Sequence, residues 1–152
     1  TLNVSQNQIN VVGSVFSFTS KLIEGNYPDY EKVFPVGDES KLVVDKNEFS
    51  TALSRASVLS NEKYRGIRLS LNKDLLKIEA NNPEKESAEE EIKVDYSGPE
   101  LEIGFNISYL QESLTTIKDL SAEIVFFGQE SSCIVKNKEN EDLIHVIMPM
   151  RL

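Results

Sequence analysis

The sequence predicts an α+β domain in which two helices pack on antiparallel sheet. Helical spacing of apolar residues occurs in only two short windows. Strand-like runs bounded by turn residues fill most of the remainder. Each helical window also opens the same kind of series, a helix followed by several strands. The predicted order after residue 41 is strand, helix, four strands, helix, three strands, which reads as an internal duplication.

Residues 2–23 read as a strand hairpin: Leu2, Val4, Ile9, Val11, Val15, Phe16 and Phe18 supply apolar and β-branched content, and Asn7 and Gly13 suit turns. Residues 25–35 hold Gly25, Pro28 and Pro35 with Tyr27 and Tyr30, a composition that disfavours helix and reads as an extended linker. The domain boundary is placed near residues 26–30. Residues 42–44 form a short strand. Asp45 and Glu48 then make an Asp-x-x-Glu capping arrangement, and Phe49, Ala52, Leu53, Ala56 and Leu59 follow on one helical face. Strands are predicted at 65–71, 75–80, 88–96 and 101–105, with Asn72-Lys73-Asp74, Asn81-Asn82-Pro83 and Ser97-Gly98-Pro99 as the turns. Asn106 caps the second helix, whose apolar residues are Ile107, Leu110, Leu114 and Ile117. Strands at 122–127, 131–135 and 142–148 complete the series, separated by Gly128 and the polar run 136–141.

Bulk properties narrow the class. The 152 residues are 39% hydrophobic and 27% charged, ordinary for a water-soluble fold. The longest apolar runs, such as Ile124-Val125-Phe126-Phe127, are strand-sized, whereas a membrane helix needs roughly 20 apolar residues. No signal-peptide pattern opens the chain. It begins at Thr1 in a strand-like pattern, so the expectation is part of a longer protein. Cys133 is the one cysteine; it fits a reducing cytoplasm and reads as a buried small hydrophobe. The net charge of −9, from 25 acids against 16 bases, opposes nucleic-acid binding unless charge is segregated between faces.

Familiar reaction chemistry finds little support. The only histidine, His145, lies in a strand pattern alternating with Leu143 and Ile147, opposite Ile144, Val146 and Met148, and reads as structural or surface. One His and one Cys do not make a zinc site without several converging carboxylates. The run Glu84-Lys85-Glu86-Ser87-Ala88-Glu89-Glu90-Glu91 is densest in acid. It reads first as a charge-protected edge strand. A hydrolase would need two of these carboxylates to converge, and Glu89 and Glu90 point to opposite faces of a strand. The glycines form no phosphate-cradling loop and no nucleophile elbow. No cofactor is expected.

Several stretches together resemble one family. They are Phe18-Thr19-Ser20-Lys21-Leu22, Tyr27-Pro28-Asp29-Tyr30, Leu59-Ser60-Asn61-Glu62-Lys63-Tyr64-Arg65-Gly66, Ala80-Asn81-Asn82-Pro83-Glu84, Tyr96-Ser97-Gly98, Ile103-Gly104-Phe105-Asn106 and Met148-Pro149-Met150-Arg151-Leu152. Occurring in this order along nearly the whole chain, they are similar to the bacterial DNA polymerase III beta subunit, the sliding clamp.

The resemblance implies a DNA-clamp domain, two helices packed on two antiparallel four-stranded sheets. It implies that residues 1–27 are the terminal hairpin of a second clamp domain, 28–40 a linker and 41–152 the third domain. It implies a non-enzymatic processivity factor: a ring around duplex DNA, homodimeric in the full-length protein. Its partners would be the DNA polymerase III catalytic subunit, the clamp loader, and other DNA polymerases and repair proteins carrying clamp-binding peptides. The implied peptide pocket is Pro28, Val33, Asn106, Tyr109, Ser132, Val146, Met148, Pro149, Met150 and Arg151. Methionine suits such a surface because it is flexible and polarizable. The implied ring-dimer interface is Val58, Leu59, Glu84, Glu86 and Glu90. Helices would line the hole, with Lys32 and Arg55 facing DNA. The two helical windows carry Lys46, Arg55 and Lys118 against Glu48 and Glu112, a weak cationic bias in an acidic chain. A second reading is a protein-interaction module without DNA, using the acidic edge strand for strand addition.

Overall fold

The computed structural model describes residues 1–139 and 143–151. The chain divides into two compact units, 1–30 and 31–152.

The first unit is an antiparallel sheet of β1 (Leu2–Val4), β2 (Gln8–Val12) and β3 (Ser17–Lys21) in that order. It has one strand more than the expected hairpin. A turn closed by the Ser5 N–H on the Gln8 carbonyl, 2.9 Å, splits the first half in two. None of its side chains is buried, and Leu2, Val4, Phe16 and Phe18 are exposed. This sheet therefore has no core of its own.

The second unit opens with a 3₁₀ turn, Tyr30–Val33, whose first residue belongs to the other unit. β4 (Ser40–Asp45) runs into α1 (Lys46–Ser57). Asp45 is extended, and its carboxylate accepts the Glu48 N–H at 2.9 Å, so one orphan donor of the first turn is satisfied. The predicted apolar face is the buried one: Phe49, Ala52, Leu53 and Ala56 are fully inaccessible. β5 (Gly66–Asn72), β6 (Leu75–Asn81) and β7 (Ser87–Lys93) form a meander. β8 (Asp95–Tyr96) and β9 (Leu101–Asn106) follow. α2 (Ile107–Thr116) starts where the Asn106 side chain accepts the Ser108 N–H at 2.9 Å. β10 (Ser121–Phe126), β11 (Cys133–Asn137) and β12 (Ile144–Ile147) complete the unit. Gly128, φ +112°, turns the chain after β10. The predicted strand 142–148 is realised over its central part; Asp142 lies outside the described residues.

Two antiparallel sheets result, ordered β7-β6-β5-β9 and β12-β11-β10-β4-β8. The predicted single strand 88–96 breaks at Val94. Its last two residues leave β6 and pair with β4, Leu42 opposite Tyr96. The second sheet therefore has five strands rather than four, the fifth only two residues long. Tyr96 fixes this corner: its fully buried ring ends in a hydroxyl that donates to the Pro99 carbonyl at 2.6 Å. A Cβ on Gly98 would stand 2.6 Å from that hydroxyl, so only glycine fits the turn without displacing the ring.

The helices pack beside each other, with Gln111 Nε2 donating to Ser54 Oγ at 3.3 Å. α1 lies on β6 and β7, and α2 meets β9 and β12. One core joins both helices to both sheets, with Phe105 and Phe126 in tilted contact at 6.4 Å between ring centres. Burial of these apolar side chains is the main stabilising term.

Candidate functional site: an apolar tail, an open acidic edge and a polar helix face

β12 pairs with β11 and, among the described residues, with no strand on its other side. The register sets its faces. Ile147 lies opposite Cys133, and His145 opposite Val135, on the core side. Val146 lies opposite Ile134 on the other face and is half-buried. Beyond the strand, Met148 is 64% exposed, and Pro149 and Met150 are half-buried. The tail is fixed by its backbone, because the Met150 N–H donates to the Gly104 carbonyl of β9 at 2.9 Å. The last residues therefore bridge the edges of the two sheets and present methionine outward. Arg151 is exposed, 3.8 Å from Glu130.

The other predicted pocket residues divide into contact surface and support. Tyr109 is exposed on the first turn of α2. Val33 is 46% exposed, and its carbonyl accepts Ser132 Oγ at 3.2 Å. Ser132 is itself buried, so its hydroxyl anchors the Val33 turn rather than facing outward. Asn106 is a helix cap whose Nδ2 also donates to the Tyr64 carbonyl at 3.3 Å. Pro28 is exposed within the first unit.

Three of the five residues predicted for the ring interface line a second feature. Val58, Glu84 and Glu86 line a groove of about 470 Å³ between the loop after α1 and the β6–β7 turn. Val58 is 78% exposed, an unusual position for a β-branched apolar residue. Leu59 is half-buried beside it. Asn82 shapes the turn: its Oδ1 accepts the Glu86 N–H at 2.9 Å and its Nδ2 donates to the Glu86 carboxylate at 2.8 Å. Lys85 adopts a left-handed φ of 67° there. β7, next in the chain, pairs with β6 and with no other strand among the described residues, so its outer backbone edge is available to another strand.

Glu90 and Arg55, predicted for two different faces, are partners. Arg55 Nε and Nη2 donate to the two Glu90 oxygens at 2.7 and 2.6 Å, a bidentate pair from α1 to β7. The hydrogen bond to Glu90 raises the Arg55 pKa, and the hydrogen bond from Arg55 lowers that of Glu90. Glu89 points to the opposite face of β7, where Lys77 holds it at 2.9 Å. The two neighbouring carboxylates thus do not converge. Lys46 Nζ donates to the Ile117 carbonyl at 3.0 Å. The exposed helix positions are otherwise mostly polar: Asn47, Thr51, Ser54, Thr115 and Thr116, with Glu48 and Glu112. Lys32 is exposed in the 3₁₀ turn.

Cys133 is fully buried, and desolvation pushes its thiol up to about 12. Among the described residues no three His, Cys, Asp or Glu are grouped to hold a metal, and no helix is long and apolar enough to cross a membrane. Sequence reasoning missed the groove between α2 and β12, where Thr116 Oγ1 meets His145 Nε2 at 2.6 Å. These two residues lie 29 apart in the chain, and only the packing of α2 on β12 brings them together.

Fold and surfaces together define an α+β domain with two strand edges unpaired among the described residues and an exposed methionine beyond its last strand. Residues 31–151 match the family described as DNA polymerase III beta subunit, C-terminal domain, and the chain belongs to that family. The beta sliding clamp of Pseudomonas aeruginosa is 48% identical over 149 residues, 98% of this chain and 41% of that protein. That of Escherichia coli (strain K12) is 40% identical over 151 residues, 99% of this chain and 41% of that protein. The crystal structure of the DNA polymerase III subunit beta from Pseudomonas aeruginosa matches with a TM-score of 0.94 at 48% identity, covering 99% of this chain and 42% of that one. A sliding clamp of the same organism, solved bound to griselimycin, matches at 0.91. The chain thus spans about two-fifths of the length of these relatives.

Proposed function

We propose that this chain acts as the C-terminal part of a DNA sliding clamp. In this reading residues 1–27 are the terminal hairpin of the second clamp domain, 28–40 the linker and 41–152 the third domain. The coreless first sheet, with Leu2, Val4 and Phe18 exposed, supports it, since such a sheet needs further structure to cover it. The full-length protein closes a homodimeric ring on duplex DNA in the cytoplasm. It tethers the DNA polymerase III catalytic subunit, other DNA polymerases and repair proteins, and a clamp loader opens it. It performs no catalysis and needs no cofactor.

The observation that carries the docking role is the tail. Met148 stands exposed at a sheet edge, held by the Met150–Gly104 hydrogen bond, near Val146. A rigid backbone carrying a flexible apolar side chain suits short peptides of varied sequence. Val58 and the open β7 edge support the ring role through strand addition and apolar burial, with Glu84 and Glu86 adding charge complementarity.

The test is fluorescence anisotropy with a labelled peptide copied from a polymerase that uses a clamp, and a scrambled control. The peptide is expected to bind the 152-residue chain, more weakly than it binds the longer protein, and Met148→Ser is expected to weaken it further. Equal binding of the scrambled control, or no binding at all, refutes the docking role.

A further inference from the structure

The groove between α2 and β12, about 610 Å³, continues from the docking surface. One part is lined by Tyr109 and Val146, both in the proposed peptide pocket. The other is lined by Glu112, Thr116 and His145, which that pocket does not include. Glu112 follows Tyr109 by three residues on α2, so the two share a helix face. Its carboxylate is exposed and meets no hydrogen-bond or ion-pair partner among the described residues.

The polar contacts on the far wall are already committed. The Thr116 hydroxyl donates its single proton to the Ser113 carbonyl at 2.8 Å. The 2.6 Å contact with His145 must therefore be donated by Nε2. Among the described residues Glu112 is the one carboxylate lining the groove, and no lysine or arginine lines it.

We infer that this groove receives residues flanking the apolar anchors of the docking peptide, and that Glu112 selects a lysine or arginine there. The inference rests on the docking role proposed above and names what that site prefers. Continuity through Tyr109 and Val146 argues for the same peptide rather than a separate ligand. The lone carboxylate disfavours phosphate and favours a cation, with arginine able to engage both oxygens. Because Glu112 is exposed, the preference is modest, about two- to fivefold in affinity.

The probes are two labelled peptides with identical apolar anchors, one flanked on both sides by lysine and one by alanine. Each is titrated against the 152-residue chain, Glu112→Gln and Glu48→Gln. The lysine peptide is expected to bind the unmodified chain about two- to fivefold more tightly. That advantage should vanish in Glu112→Gln, survive in Glu48→Gln, and shrink at about 0.5 M salt. Persistence of the advantage in Glu112→Gln overturns the inference, because the acidic chain as a whole is then responsible. Equal binding of the two peptides to the unmodified chain also overturns it. Failure of both peptides to bind overturns the docking role, and this inference with it.

Discussion

Asn106 sits in the proposed peptide pocket while holding two intramolecular hydrogen bonds, so its substitution separates a structural role from a ligand role. Its Oδ1 caps α2 through the Ser108 N–H at 2.9 Å, and its Nδ2 reaches the Tyr64 carbonyl at 3.3 Å. Asn106→Ala removes both. Loss of a cap costs about 1 kcal/mol. The second bond is long, and its loss costs about 0.5 kcal/mol. The sum of about 1.5 kcal/mol corresponds to a fall of about 6 °C in the melting temperature of a unit this size. Asn106→Asp keeps the capping oxygen and places a carboxylate at a helix N-terminus, which offsets the lost donor; it should lie within about 0.5 kcal/mol of the unmodified chain. Urea titration followed by circular dichroism at the helix band measures both. If the alanine variant is as stable as the parent, or aspartate is as damaging as alanine, Asn106 is not acting as a cap. If aspartate preserves stability but weakens peptide binding, the amide N–H left over from the Tyr64 bond contacts the peptide directly.

Two further outcomes follow from the pairing and burial of single groups. Arg55 lowers the Glu90 pKa below its ordinary value of 4.5, so carboxyl NMR should find Glu90 titrating at lower pH than exposed glutamates, and Arg55→Gln should move it back up. The stabilisation linked to this shift is complete above the unfolded value and is lost as pH falls through the depressed folded one; a Glu90 midpoint unmoved by Arg55→Gln refutes the pair. Cys133, with its thiol pushed up to about 12 by burial, should resist a disulfide reagent at pH 8 in the native chain and react fully in denaturant. Rapid native labelling counts against the buried strand register of β11.

Local chemistry was legible wherever the determinant was local. The Asp45–Glu48 cap, the Asn106 cap and the apolar stripe of α1 depend on residues within four or five positions. The break at Val94 was not legible, because 88–96 alternates like one strand. What divides it is Tyr96, drawn into the core opposite Leu42, more than 50 residues away. The tail illustrates the same limit. Alternation puts Val146 and Met148 on one face, but the Met150–Gly104 bond that fixes the tail is a long-range backbone contact without a side-chain signature. Ser132 is expected in the pocket from the resemblance, yet it is buried and its hydroxyl is spent on the Val33 carbonyl. Family resemblance marks such a position without saying whether it touches ligand or supports a neighbour.

Arg55 shows how a residue's partner changes its functional reading. From sequence it is a lone cation on a helix expected to face DNA, and Glu90 is one acid among several on an edge expected to face another subunit. Joined bidentately, each is committed to the other where it stands. Lys46 spends one donor on the Ile117 carbonyl at the end of the other helix. The exposed helix positions are mostly hydroxyl and amide, with Arg55 paired to Glu90 and with Glu48 and Glu112 adding negative charge. Each phosphate neutralised by a protein contributes about 0.9 to the slope of binding against salt, so a face with few available cations holds DNA weakly at any one position. For a protein proposed to encircle DNA and slide, that is an advantage: retention comes from closure of the ring, and each phosphate passed offers little to release. The Arg55–Glu90 pair also ties the helix expected beside DNA to the strand expected at the subunit boundary. Reversing Arg55 to glutamate would place two carboxylates together at the edge strand. Its first expected effect is therefore on association of the edge, and loss of DNA retention with ring assembly unchanged would contradict this ordering.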